Sequence, residues 1–386
     1  MTQRLHLELF ELNPDFFRNL CLYIPESGND LPDVVDEALF GIDMYRRMQT
    51  PEGGIRGGIE SSEHPIDGST SWQETQTVLI YAPDHWSSYI YTGVAARAAG
   101  ILKMLGKTEL AQIWEASAVK AMEWAEVEYQ KWMASPDYAK VRDRAKSAIP
   151  VERNLAAVEL YRLTKDKRWH QVYLTTQNLQ TNRTEAAFIY TRLDKSLVDK
   201  KAREIAMNAL IAEANRLIEL SANNAFGLTT GSAGRAIGGY SSTYTIPASA
   251  TLVRAHYLTG DPKYLKTILR SALYSAGANP MNQCMTTGLG EYYVKNALHE
   301  DTKHTGQSAP IGITVFGPCE LQNSDARPGS DLEKRLNITC TPAIAGWPSA
   351  ESYFDVFWFV SQNEFVVDNP LGPTEYIWGY LASRKK

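Results

Sequence analysis

The heptapeptide Leu163-Thr164-Lys165-Asp166-Lys167-Arg168-Trp169 returns 95 residues later as Leu258-Thr259-Gly260-Asp261-Pro262-Lys263-Tyr264. In both copies a helix-patterned segment ends, an aspartate stands ready to cap the next helix, and an aromatic residue packs back across the joint. Leu105-Gly106-Lys107-Thr108 is a looser relative of the same joint. A chain built from repeated antiparallel helix hairpins has few architectures open to it. This one is too long for a four-helix bundle, so it stacks its hairpins into a solenoid or closes them into an α/α toroid. A solenoid would show a tighter period, which favours the toroid.

The periodicity elsewhere agrees. After Asp30, with Pro32 in the first turn, Val34, Val35, Ala38, Leu39, Ile42, Tyr45 and Met48 fall on one helical face. Thr108 is placed to cap a second helix that turns Leu110, Ile113, Trp114, Ala118, Ala121, Trp124 and Ala125 inward. Ser196 is placed to cap a third, running through Val198, Ala202, Ile205, Ala209, Leu210, Leu217 and Leu220. The spacing predicts further helices over 87–105, 151–164, 167–178, 243–258, 262–275 and 350–366. Only short stretches such as 311–316 read as strand, so the fold class is all-α. The irregular stretches 50–86, 221–243 and 277–349 are long enough to carry function. The toroid is expected to gather 50–86 and 277–349 at one end.

Charge and composition remove several functions. The 386 residues carry a net charge of −5, which argues against nucleic acid as a partner. Cys21, Cys284, Cys319 and Cys340 lie far apart with no CxxC spacing, so neither a disulfide scaffold nor a four-ligand zinc site is expected. No apolar run approaches the ~20 residues of a membrane span, and no membrane partner is expected. The amino terminus lacks the apolar core of a signal peptide, which alone reads as cytoplasmic. Twenty tyrosines and nine tryptophans stand against eleven phenylalanines. Flat rings with a polar tip suit sugars, whose axial C–H groups stack while the hydroxyls stay wet.

The irregular stretches hold the candidate residues. Gly53-Gly54-Ile55-Arg56-Gly57-Gly58 lacks the phosphate-loop pattern and reads as a turn. Trp86 and Tyr89 follow at the mouth of a helix, where they are candidate sugar platforms. Gly277-Ala278-Asn279-Pro280 through Thr286-Thr287-Gly288-Leu289-Gly290 is rich in amides and small residues, as a substrate-facing loop would be. His299 and His304 flank Glu300 and Asp301, at a spacing that fits no helical metal site. Near the end, Asn363-Glu364 interrupts the apolar run from Phe357 to Val367. Desolvation of Glu364 raises its pKa toward the range of a general acid.

Leu9-Phe10-Glu11-Leu12 through Ile24-Pro25-Glu26-Ser27-Gly28-Asn29-Asp30-Leu31-Pro32-Asp33-Val34-Val35-Asp36-Glu37-Ala38 resembles a segment of glycoside hydrolase family nine. The glycine-bearing turn, the Gly-Ala-Asn-Pro and Thr-Gly-Leu-Gly block and Asn363-Glu364 follow in that family's order. The resemblance implies an (α/α)6 barrel that cleaves β-1,4-glucan with inversion, cellulose or a related β-glucan, with no cofactor, structural calcium being left open. Glu364 matches the acid that protonates the leaving oxygen, and Trp86, Tyr89, His299, His304, Trp347 and Asn363 become candidate substrate contacts. The departures are specific. The family's water-activating aspartate lies in an Asp-Ala-Gly-Asp motif, and no such sequence occurs here. The loop His299-Glu300-Asp301-Thr302-Lys303-His304 holds no arginine to match the family's histidine-and-arginine loop, and Trp358-Phe359-Val360 replaces the aspartate and tyrosine commonly found before the acid. These departures lead to the expectation of one catalytic domain over residues 1–386, truncated at its amino terminus and short of its first helices. The family's usual export to the periplasm or medium then sets no rule for this chain. Asp84 and Asp67 are the candidates for a second carboxylate. The alternatives are a non-catalytic glucan-binding toroid and, more remotely, a polysaccharide lyase.

Overall fold

The computed structural model describes residues 2–64, 68–141, 143–177, 184–229, 249–368 and 372–384. Among these residues the fold is all-α, with one small hairpin of β1 (Ile59–Ser61) and β2 (Val78–Ile80) paired antiparallel in the register Glu60 to Leu79. The chain divides into two compact units: residues 3–63 with 76–213, and residues 64–75 with 214–386 and the first two residues.

The first unit holds α1 (Thr2–Leu12), α2 (Pro14–Arg18), α3 (Asp33–Arg47), α4 (His85–Met104), α5 (Thr108–Ala134), α6 (Asp143–Thr164), α7 (Lys167–Thr176), α8 (Glu185–Arg192) and most of α9 (Lys200–Ala222). Its centre is α4, which packs on both α5 and α6. Almost every residue of α4 from Ser88 to Leu102 is buried, and Gly93, Ala95, Ala96, Ala98 and Ala99 let neighbouring helices approach closely. A helix apolar on all sides belongs in a core. One charged residue breaks that rule. Arg97 is fully buried at the middle of α4. Its Nε lies 2.5 Å from Glu159, its Nη1 lies 3.2 Å from Glu8 and 2.8 Å from the Arg4 carbonyl, and its Nη2 lies 3.1 Å from Glu185. Arg4 meets Glu152 at 2.6 Å, while Arg162 and Arg192 meet Glu11 at 2.7 and 2.9 Å. Burial pushes the Glu11 carboxyl up, but Arg162 and Arg192 outweigh it and hold the group at about 2. Four helices are joined through charge rather than through methyl groups.

The second unit holds the end of α9, then α10 (Ala250–Thr259), α11 (Pro262–Ala272), the short α12 (Glu300–Thr305), α13 (Asp331–Leu336) and α14 (Val360–Asn363), and finally α15 (Gly372–Ala382). Here α15 packs on α10 and α11.

The repeated joints are built alike. Asp166 accepts the Arg168 N–H at 2.8 Å and Asp261 accepts the Lys263 N–H at 3.0 Å, capping α7 and α11. Thr164 and Thr259 each donate back four residues at 2.7 Å, and Trp169 and Tyr264 are buried across the turns. Between them Lys165 and Gly260 take the same left-handed backbone, with φ of 63° and 69°. That conformation strains a residue with a Cβ by roughly 1–2 kcal/mol and leaves glycine free. Lys165→Gly is therefore expected to stabilise the chain by about 1 kcal/mol, read as a rise of roughly 2–4 °C in the unfolding midpoint. An unchanged or lowered midpoint would contradict it.

Several sequence expectations are corrected. Helix α3 starts at Asp33, with Pro32 outside it, and the Asp33 carboxylate reaches back to Ser27 at 2.5 Å and to the Leu22 N–H at 2.7 Å. Helix α5 has no side-chain cap from Thr108, which lies inside it. Ser196 caps nothing in α9; it sits in a short 3-10 turn capped by Asp194, and Asp199 accepts the Ala202 N–H at 2.8 Å instead. The stretch 311–316 contributes one isolated bridge, Thr286 to Thr314, and no strand. Residues 230–248, covering most of the 221–243 stretch and the predicted start of a helix at 243, lie outside the described residues. The helix expected over 350–366 shrinks to α14, and side-chain amides explain why. Gln362 Oε1 accepts the Phe354 N–H at 2.8 Å and Asn363 Nδ2 donates to the Phe354 carbonyl at 2.7 Å. Backbone groups satisfied by side chains have no need of a helical partner.

Candidate active site

In the second unit, His64, Ser69–Ser71 and Glu74, the start of α12 and the segment around Glu364 line a cavity of about 850 Å³. It is lined by Thr70, Ser71, Glu74, His299, Asp301, Trp358 and Glu364 among others. This joins part of the 50–86 stretch to part of the 277–349 stretch, within one unit.

Glu364 follows α14 and is held by its backbone on both sides. Its N–H donates to the Val360 carbonyl at 3.0 Å and its carbonyl accepts the Phe316 N–H at 2.9 Å. Next to it, Phe365 packs on the cluster of Met285, Val294, Ala297, Ile313, Val315 and Tyr353. The side chain is half-buried. Burial, reinforced by the negative charge of Asp325, raises its carboxyl above the usual glutamate range. Asp325 is itself fixed, accepting the Ser361 N–H at 2.8 Å. Such a group stays protonated to higher pH than a surface glutamate and can donate that proton inside the cavity.

The other candidates separate into those at the cavity and those elsewhere. His299 lines it, caps α12 by accepting the Thr302 N–H at 3.4 Å, and lies nearly parallel to the Phe365 ring at 12°. His304 is turned to Glu300, 3.0 Å away, so the two histidines do not converge. Asn363 is fully buried. Its Oδ1 accepts the Tyr353 hydroxyl at 2.6 Å and its own carbonyl accepts the Leu298 N–H at 2.7 Å, so it braces Glu364 and leaves no group for a sugar. Trp347 stacks on Phe354 and donates to the Pro342 carbonyl at 3.0 Å, away from the lining residues. In the first unit Trp86 is exposed, whereas Tyr89 is fully buried against Tyr129 with its hydroxyl 2.7 Å from Glu126. Tyr89 is therefore a core residue and offers no ring face to a ligand. Asp84 spends its carboxylate on the Ser87 N–H and hydroxyl as the cap of α4, and Asp67 lies outside the described residues. The amide block 277–290 is scaffold: Asn279 donates to the Tyr274 and Gln283 carbonyls, and a Cβ on Gly288, at φ 71°, would strike Ile311.

Sequence reasoning missed Trp358 and Asp325. Trp358 lines the cavity and is half exposed, which its apolar neighbours Phe357 and Phe359 disguised as helix core. Asp325 stands in no motif. Among the described residues no helix is long and apolar enough to cross a membrane, and no group of three or more His, Cys, Asp or Glu side chains is arranged to hold a metal ion.

The cavity thus sets a carboxyl raised by burial beside the half-exposed Trp358 in an all-helical scaffold. The profile described as Glycosyl hydrolase family 9 matches residues 9–370. Endoglucanase C of Cellulomonas fimi is 26% identical over 294 residues, covering 70% of this chain and 26% of that protein. The xyloglucan-specific endo-beta-1,4-glucanase of Bacteroides ovatus is 24% identical over 348 residues, covering 82% of this chain and 58% of that protein. The chain thus spans between about a quarter and three fifths of these curated relatives. A metagenome-derived family 9 endoglucanase of known structure superimposes over 99% of this chain and 68% of its own, with a TM-score of 0.81 at 22% identity. The chain belongs to glycosyl hydrolase family 9, and its fold is the (α/α)6-barrel type of that family.

Proposed function

We propose that the protein hydrolyses β-1,4-linked glucan with inversion, Glu364 serving as the general acid. The observation that carries this reading is Glu364 itself: half-buried, raised in pKa, and lining a cavity of about 850 Å³. That volume suits a few sugar rings. In an inverting reaction the acid protonates the leaving oxygen while a second carboxylate, roughly 6.5–9.5 Å away, activates water on the opposite face. The Asp-Ala-Gly-Asp sequence is absent from these 386 residues, and among the described residues the carboxylates that share the cavity with Glu364 are Glu74, Glu300 and Asp301. General-base assistance is worth about 10²–10⁴ in rate. The chain is therefore expected to release reducing sugar from carboxymethylcellulose, lichenan or xyloglucan slowly compared with an endoglucanase that carries the motif. The names of the curated relatives support the choice of these substrates. The missing motif also favours a second reading, a glucan-binding protein without hydrolysis. Reducing-sugar assays beside equilibrium binding separate the two. Release that vanishes in Glu364→Gln supports the enzyme, binding with no release supports the second reading, and neither activity on any β-glucan would overturn both.

A further inference from the structure

Ser71 and Asp301 are 230 residues apart in the chain and joined at both carboxylate oxygens. Asp301 Oδ1 accepts the Ser71 N–H at 2.5 Å, and Oδ2 accepts the Ser71 hydroxyl at 2.7 Å. The turn that carries Ser71 is closed on itself. Thr70 donates its N–H to Gln73 Oε1 at 3.1 Å, and Gln73 donates its own N–H to the Thr70 carbonyl at 2.9 Å. A turn this well satisfied keeps its shape wherever it sits. What Asp301 adds is location: it ties the turn to the first residues of α12, and Thr70, Ser71 and Glu74 become cavity wall beside His299 and Glu364. Between the wall residues Ser71 and Glu74 stands Trp72, a residue 69% exposed, while Trp358 on the wall is 51% exposed. A tryptophan that bare loses much of its hydrophobic burial energy, yet the segment bearing it is anchored by two hydrogen bonds to a charged group, the stronger kind.

We propose that Asp301 is a positioning residue which, through Ser71, sets Trp72 at the rim of the Glu364 cavity as a stacking platform for a glucose ring. The inference rests on the glucan reading above. The geometry makes the platform's place depend on a carboxylate 230 residues away in the chain. It also explains why an aspartate is useful at 301, since both oxygens are engaged and an amide could accept at only one. Ser71 holds the Asp301 carboxyl below the usual aspartate range, first through its hydroxyl and then through its amide, so the clamp is ionised at neutral pH.

The test is calorimetric titration of the full chain with cellohexaose, for the parent, Trp72→Ala, Asp301→Asn, Ser71→Ala, Ser71→Thr and the Trp72→Ala/Asp301→Asn double variant. Trp72→Ala and Asp301→Asn are each expected to weaken binding about tenfold, as loss of one ring stack does. The double variant is expected to bind no worse than Trp72→Ala, because Asp301 acts through that ring. Ser71→Thr, which keeps the hydroxyl, is expected to bind like the parent, and Ser71→Ala to fall between. If the parent binds and Asp301→Asn binds equally well, the clamp is overturned while the glucan reading stands. Losses that multiply in the double variant would show Asp301 acting independently of Trp72, which also overturns it. A parent that binds no β-glucan removes the glucan reading and this inference together. Should Asp301→Asn fail to fold by circular dichroism, Ser71→Ala against Ser71→Thr carries the same decision.

Discussion

Glu364→Gln is expected to lower glucan hydrolysis by about 10²–10⁴, the usual worth of a positioned proton donor. The substitution keeps size and shape, and the backbone bonds from Glu364 to Val360 and Phe316 do not involve the side chain. Folding and oligosaccharide binding are therefore expected to change little, with the loss falling on kcat. An aryl glucoside with a good leaving group needs less protonation and should lose less. The pH profile follows from the direction of the shift. Glu364 works protonated, and burial raises its pKa above the ordinary value of 4.5. Activity is thus expected to persist above that value and to decline as pH rises through the shifted pKa. Full activity in Glu364→Gln, with no change in the alkaline limb, would remove Glu364 from the chemistry.

Arg97→Met is expected to be the most destabilising single change in the first unit. The substitution leaves Glu8, Glu159 and Glu185 facing a thioether in a space where Arg97 has no exposure at all. Breaking a buried pair on one side costs about 3–5 kcal/mol, against a whole-domain stability of only ~5–15 kcal/mol. Denaturant midpoints or soluble yield at 37 °C would read it, and a midpoint equal to the parent's would refute it. Replacing the arginine and its three carboxylates together by apolar residues of similar volume is expected to recover most of the loss, since charge pairs and well-packed hydrocarbon are often close in worth.

What could be read in the sequence was whatever depends on neighbours in the chain. Asp166 and Asp261 cap their helices within two residues, and Trp169 and Tyr264 pack across the same joints, so local rules found them. The burial and raised pKa of Glu364 were legible because its apolar flanks are contiguous with it. Local rules misassigned two caps, at Thr108 and Ser196, and the larger errors came where the deciding partner lies beyond the local turn. Phe354 to Phe359 carry an apolar pattern that suits a helix, but amides at 362 and 363 hold the stretch in another shape. Tyr89 has the chemistry of a sugar platform, and only the arrival of Glu126 and Tyr129 from α5 shows that it is enclosed. Arg97 sits among alanines and looks like a residue facing water, because Glu8, Glu159 and Glu185 come from three other helices. The same limit hid the clamp on Ser71, whose partner is 230 residues away.

The charge-lined docking of α1 has a consequence for temperature. Arg4, Glu8 and Glu11 give the first helix an inward face of ions, alongside the buried Leu5, Leu7, Leu9 and Phe10. Hydration of ions becomes less favourable as water warms, so the penalty for stripping it falls, whereas hydrophobic gain per unit area levels off. The ionic part of the grip on α1 strengthens with heat. On chilling, both parts weaken, because apolar burial also loses force in the cold. Cooling is thus the direction in which the grip on α1 is expected to weaken.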